Sequence, residues 1–167
     1  ASPSLAQDAH STSSGQATTS SAAKRESTSD RIKMKREEAS KAAMAKRQAF
    51  NTKLTAIRDG RKKAIVERTD KRLGEINTKR TDQMAEYLAR LTSIVTKIES
   101  RIAKVKMRGL DVGTAEAALV EAKAAIKAAS EAVEAQAGKS YVITITDEAG
   151  LKNAVGSAMS SLQGDLR

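Results

Sequence analysis

The chain has 167 residues, a net charge of +10 and aromatic side chains at only 2% of its positions. It has no cysteine and one histidine, His10, which excludes a disulfide framework, a thiol nucleophile and a cysteine/histidine metal site. Because so few aromatic residues cannot supply the large core of a typical globular enzyme, we expect no catalytic activity, no cofactor and no small-molecule substrate.

The first 23 residues are rich in serine and threonine and carry a single charge, Asp8. Such a segment buries too little apolar area to offset the entropy of ordering it, and it is common just after a signal-peptide cleavage site. Since the chain also begins with Ala1, we expect an exported protein, outside the cell or at its surface, with its signal peptide removed. The alternative is a cytosolic protein with a flexible tail. If the tail is ordered, we expect a neighbouring subunit to order it.

Residues 24–107 predict one very long helix, since good helix formers dominate and proline is absent. Apolar residues recur every 11 positions, which gives a nearly straight stripe along a helix. The repeat keeps its phase through Asp59-Gly60 and Gly74, which favours an unbroken helix of about 84 residues and about 125 Å. A kink at Asp59-Gly60 is the alternative. The stripe supplies the predicted assembly seam: Ile32, Leu54, Ile65, Ile76, Tyr87 and Ile98.

Two shorter helices are predicted after the long one. Gly109 is expected to end the long helix, and Asp111 or Thr114 to cap a second helix that runs to about Ala137. The short connection makes these two helices antiparallel. Thr146 is expected to cap a third helix. The predicted fold is therefore all-α, with a very long N-terminal helix, an antiparallel three-helix bundle and one short extended segment at residues 140–146. The predicted divisions are a tail at 1–23, a basic helical arm at 24–83 and a helical bundle at 84–167.

The extended segment alternates β-branched and aromatic residues, which is typical of a strand. A single strand has unpaired backbone groups, so one prediction is that it pairs with another subunit. The other is that it is an extended linker that plugs the end of the bundle. The residues predicted for inter-subunit pairing are Tyr141, Val142, Ile143, Thr144 and Ile145.

The excess positive charge lies on one part of the chain, because residues 24–82 by themselves carry a net charge of +10. One interpretation is an anion-binding surface. The other is a solvated helix with ion pairs four residues apart, such as Glu67–Lys71 and Glu75–Lys79. The candidate anion-binding residues are Arg61, Lys62, Lys63, Lys71 and Arg72.

From about residue 50 onward, the chain resembles uncharacterised, mostly exported helical proteins of ultrasmall candidate-phylum bacteria. The blocks that carry the resemblance are LTAIRDGRKKAIVERTDKR, INTKRTDQMAEYLARLTSIVTKIESRIAKVK, GLDVGTAEAALVEAKAAIKAA and GKSYVITITDEAGLKNAVG. The resemblance implies export and a helical, coiled-coil-like fold.

These patterns predict an exported structural protein that self-assembles through helix packing, as the subunit of an extracellular or surface filament. The expected partners are other copies of the chain. The alternative is a basic helical module that binds nucleic acid or another anionic polymer. No stretch approaches 18 uncharged apolar residues, so no transmembrane span is predicted.

Overall fold

A computed structural model describes residues 30–167, and every regular element within that range is an α-helix. The helices are α1 (residues 30–42), α2 (Met44–Thr55), α3 (Gly60–Lys106), α4 (Gly113–Ala137) and α5 (Leu151–Asp165). The all-α prediction is confirmed for this range. The predicted Ser/Thr-rich tail and the predicted start of the long helix at residues 24–29 lie outside the described residues.

The chain reverses direction at residues 56–59, inside the predicted long helix. The carboxylate of Asp59 accepts hydrogen bonds from the backbone N–H groups of Arg61 (2.9 Å) and Lys62 (3.2 Å). A carboxylate in this position satisfies amides that have no partner within the helix, so Asp59 fixes the start of α3. The prediction of one unbroken helix is therefore wrong, although α3 alone has 47 residues.

Helices α1 and α2 lie antiparallel against α3 and do not project as an arm. Arg36 donates hydrogen bonds to Thr81 (2.7 Å) and Asp82 (2.8 Å) of α3, while Arg47 forms an ion pair with Asp70. Moving 11 residues forward along α1 and α2 thus moves the contact backward by a similar distance along α3. The 11-residue repeat crosses the reversal because both helices bury the same stripe at one shared interface.

Helix α4 returns along the second half of α3. Gly109 adopts φ +77°, a conformation that glycine tolerates best, and it ends the turn after α3. The carboxylate of Asp111 accepts a hydrogen bond from Gly113 N (2.9 Å), so Asp111 is the capping side chain of the two predicted candidates. The ion pair between Lys123 and Glu99 (2.6 Å) confirms that α3 and α4 are antiparallel.

After α4, residues 139–150 run back along α3 without regular structure, and α5 then reverses again. Asp147 accepts a hydrogen bond from Gly150 N (2.7 Å), which forms a turn before α5. The predicted cap at Thr146 is wrong, because α5 begins only at Leu151 and has no side-chain cap. Helix α5 therefore runs parallel to the first half of α3.

Two apolar clusters hold these elements together. The larger joins α2, the first half of α3, the extended segment and α5. Its buried members are Phe50, Leu54, Ile57, Val66, Leu73, Ile143, Ile145, Leu151 and Leu162. The smaller joins α1 to α3 and α4 through Ile32, Val133 and Ala137. Beyond the smaller cluster, α3 and α4 continue as a two-helix hairpin within the described residues.

A buried carboxylate connects three elements of the larger half. Asp70 on α3 is only 3% exposed. One of its oxygens accepts a hydrogen bond from Ile143 N in the extended segment (3.0 Å), and the other pairs with the guanidinium of Arg47 on α2. The extended segment contributes no strand partner at this position, so the Asp70 side chain supplies the acceptor that a sheet would otherwise provide.

Replacing Asp70 should therefore be costly. We expect Asp70→Ala to lower the free energy of unfolding by about 3 kcal/mol, because it leaves a buried amide without an acceptor and Arg47 without its counter-ion. Asp82→Ala is the matched control, since Asp82 also pairs α3 with an arginine but is exposed; we expect a loss below about 1 kcal/mol. Urea unfolding followed by circular dichroism measures both. Equal losses would contradict the role assigned to Asp70.

Candidate interaction surfaces

The predicted assembly seam is divided between the interior and the surface. The reversal at residues 56–59 turns its N-terminal part into the inner face of a helical hairpin. Members on the second half of α3 extend beyond the elements that would cover them. The buried or partly buried members are Ile32, Leu54 and Ile76, and the exposed members are Ile65, Tyr87 and Ile98. The structure therefore does not bring these six residues together on one surface.

The segment predicted as an inter-subunit strand lies in the core of its own subunit. Ile143 is fully buried and Ile145 is 7% exposed, while Tyr141 and Val142 pack against the larger cluster. Only Thr144 of the five predicted residues is exposed. The segment is thus the extended linker of the second prediction, and its apolar side chains are used within the subunit.

Sequence reasoning missed the polar residues that occupy buried positions on α3. Asp70, Asn77 and Thr81 are at most 6% exposed. Their spacing of seven and four residues places them on one face of the helix. This regular spacing was the available signal, because a polar row at core periodicity indicates polar partners on a neighbouring element.

One such set of partners forms a hydrogen-bonded network where α3, α4 and α5 meet. Gln136 donates hydrogen bonds to Asn77 Oδ1 (3.0 Å) and to the Tyr141 hydroxyl (2.8 Å), which donates in turn to Asp165 (2.7 Å). Burial, together with the bond to Asp165, raises the pKa of Tyr141 to about 12. Hydrogen bonds from Lys139 and Tyr141 lower the pKa of Asp165. The network locks the end of α5 to the end of α4.

Three predicted anion-binding residues lie in the first turn of α3, and one of them is already paired. Lys62 contacts Glu148, which precedes α5, at 3.3 Å. Hydrogen bonds from Arg58 N and Lys62 lower the pKa of the Glu148 carboxyl. Arg61 is exposed and Lys63 is partly buried. The first turn thus holds the start of α5 through Glu148.

The other two predicted anion-binding residues lie further along α3. Lys71 forms an ion pair with Glu75 at 3.8 Å, and not with the expected Glu67. Arg72 is exposed. The five predicted residues therefore do not converge on one site, and two of them have carboxylate neighbours.

The hairpin of α3 and α4 exposes large apolar side chains along one stripe of α3. Tyr87, Leu91, Ile94 and Ile98 are 63%, 46%, 51% and 42% exposed. Their spacing of four, three and four residues places them on a single helical face. This stripe lies beside the α3–α4 contact, where Val95 is buried.

A row of alanines on α4 lies on the same side of the hairpin. The Glu99–Lys123 ion pair marks one side of the α3–α4 contact. Ile98 and Ala122 each precede one of these residues, so a rotation of about 100° per residue turns both toward the opposite side. The row consists of Ala115, Ala118, Ala122, Ala125, Ala129 and Ala132, all exposed. We call this row and the stripe of Tyr87, Leu91, Ile94 and Ile98 the apolar face.

Two further searches of residues 30–167 define what this part of the chain offers. No group of three His, Cys, Asp or Glu side chains there is arranged to hold a metal ion. No helix in the same range is both long and apolar enough to cross a membrane.

Comparison with known proteins gives no relative. No family model, curated protein or solved structure matches the chain. Its function must therefore be argued from its own surfaces.

The Tyr141 network predicts a specific alkaline sensitivity. Because folding raises this pKa from 10.0 to about 12, the stabilisation is fully present below pH 10 and is lost as the pH rises toward about 12. We expect the stability advantage of the wild type over Tyr141→Phe to shrink across this window. Thermal unfolding at about pH 9 and about pH 11.5 measures it. Tyr87→Phe is the control for general alkaline effects; a constant advantage over Tyr141→Phe would refute the assignment.

Proposed function

We propose that this chain is an exported structural protein that self-assembles through helix packing, as the subunit of an extracellular or surface filament. The observation that carries self-assembly is the apolar face of the α3–α4 hairpin. The Ser/Thr-rich composition of residues 1–23 supports export.

The size of the apolar face supports an interface. From Tyr87 to Val105 it runs about 27 Å along α3. With helix axes about 9 Å apart, the two helices present on the order of 500 Å². A patch of this size is comparable with the largest on a typical monomer, and such patches are often functional. Pairing two copies would bury about 1,000 Å² in total, near the lower limit for a specific interface.

The shape of the face favours a second copy as the occupant. One helix presents a ridge of large side chains, and the neighbouring helix presents a groove of alanines. A two-fold axis through the middle of the face seats the ridge of each copy in the groove of the other, which is the self-complementarity that an isologous interface requires. Alanines also allow close approach of the helices. The product would be a four-helix arrangement with both apolar faces covered.

Charges at the edges of the face agree with this pairing. Arg90 and Arg101 lie on the outer edge of α3, and Glu121 lies on the outer edge of α4. Seating α3 of one copy on α4 of the other brings these opposite charges to the same border. Such rim contacts add little affinity but favour the correct orientation.

A filament needs a second contact, because a two-fold pair closes on itself. In the proposed filament the two-fold pair is the building unit, and a different surface joins one unit to the next. Electron microscopy at physiological salt distinguishes long polymers from isolated pairs.

Substitutions on the face should separate assembly from folding. We expect Leu91→Glu combined with Ile94→Glu to abolish self-association, because the pairing would bury four uncompensated carboxylates in each two-fold pair. The monomer should stay folded, since both positions are exposed. Val120→Glu is the matched control: Val120 is 66% exposed and lies two residues from both Ala118 and Ala122, so it points away from the alanine row.

Sedimentation equilibrium over a range of concentrations measures the effect. The wild type and Val120→Glu should associate, and the double variant should sediment as a monomer. Ala125→Leu tests the groove directly, because a larger side chain there would block the ridge of the partner and weaken association. A wild type that remains monomeric at high concentration would overturn the proposal.

A further inference from the structure

The outer side of α3 carries a row of cations at a constant step. Arg68, Lys79, Arg90 and Arg101 follow one another at intervals of 11 residues. An 11-residue step is 3.67 residues per turn, so the row runs almost straight along the helix. We call these four residues the basic row.

The basic row faces solvent and is not neutralised by its own chain. All four side chains are exposed. Within residues 30–167 none of the four takes part in an ion pair, and Arg90 has only the ring of Tyr87 beneath its guanidinium, at 5.8 Å. Ion pairs elsewhere on α3 lie at the sides of the helix, where α1, α4 and the start of α5 approach it.

Further cations extend the same side of α3. Arg61, Arg72, Lys97 and Lys104 are also exposed, and each lies within about 40° of the helix face that carries the basic row. Two carboxylates, Glu75 and Glu86, share this side. The result is a straight, cation-dominated ridge on a rigid helix.

The step of the row matches the geometry of a duplex. Eleven residues rise about 16.5 Å along the helix. A turn of B-DNA is about 34 Å, and two strands cross any line parallel to its axis once per turn, so a backbone is met every 17 Å on average. The four residues span about 50 Å, or about one and a half turns. Long, flexible arginine and lysine side chains accommodate the alternation between the two groove widths.

The composition of the row favours phosphate over base contacts. Three of its four residues are arginine, whose guanidinium forms paired hydrogen bonds with phosphate oxygens. The row contains no aromatic side chain, whereas single-stranded nucleic acid is bound largely by stacking on such side chains. A straight rigid ridge also suits a stiff duplex better than a flexible strand.

We propose that the basic row binds the phosphate backbone of double-stranded DNA, without sequence preference, with α3 lying along the duplex. This site is separate from the apolar face, because the row points away from α4 while the apolar face borders it. DNA binding and self-assembly can therefore succeed or fail independently.

The test uses the full chain and a fluorescein-labelled DNA duplex of 30 base pairs, with binding followed by anisotropy. Arg68→Gln, Lys79→Gln, Arg90→Gln and Arg101→Gln are combined in one variant. We expect the wild type to bind with a strong salt dependence, and the variant to lose at least tenfold in affinity at about 0.1 M salt. The slope of log K against log salt should fall by about 4.

A second quadruple variant controls for the loss of net charge. Lys41→Gln, Lys46→Gln, Lys53→Gln and Lys152→Gln remove four exposed cations away from the basic row, and we expect it to bind nearly as the wild type does. Equal losses in the two variants would overturn the proposal, since binding would then follow net charge alone. Tighter binding to single-stranded DNA of the same length, or to heparin, would also overturn it. Circular dichroism verifies that both variants are folded.

Discussion

The architecture depends on a buried carboxylate with partners on two other elements. Asp70 receives the backbone N–H of Ile143 and the guanidinium of Arg47, so one side chain joins α3 to the extended segment and to α2. An extended segment inside a helical core has backbone groups that no neighbouring helix can satisfy. Asp70 solves this at the point where the segment is most deeply buried, and its two oxygens allow two elements to be fixed together.

Polar contacts of this kind explain why the first half of α3 has few apolar residues. Asn77 and Gln136 face each other in the interior and bond to each other, while Thr81 receives Arg36 from α1. These contacts specify how the helices align, since a shift of one residue would leave buried polar groups without partners. The thin apolar stripe is therefore sufficient for packing because hydrogen bonds supply the register.

The second half of the molecule is built differently, and this difference is the basis of the functional proposals. There α3 and α4 make only a two-helix contact within the described residues, so each helix has a side without a covering element. One side of the hairpin is apolar, with large residues such as Leu91 on α3 and alanines on α4. The outer side of α3 is cationic. The first suits another copy of the chain, and the second suits an extended polyanion. Because the two sides point in different directions, a single subunit offers both at once.

Local sequence signals determined the helical class, the turn at Gly109 and the antiparallel hairpin of α3 and α4, because periodicity, a left-handed glycine and a short connection act over a few residues. The 11-residue spacing also correctly indicated straight stripes. Only the tertiary structure decided that the chain reverses before α3. An unbroken helix and an antiparallel hairpin with a shared stripe have the same periodicity, and Asp59 selects between them as a cap. The tertiary structure likewise decided that the extended segment lies in its own core, since the acceptor for Ile143 is Asp70, 73 residues away along the chain.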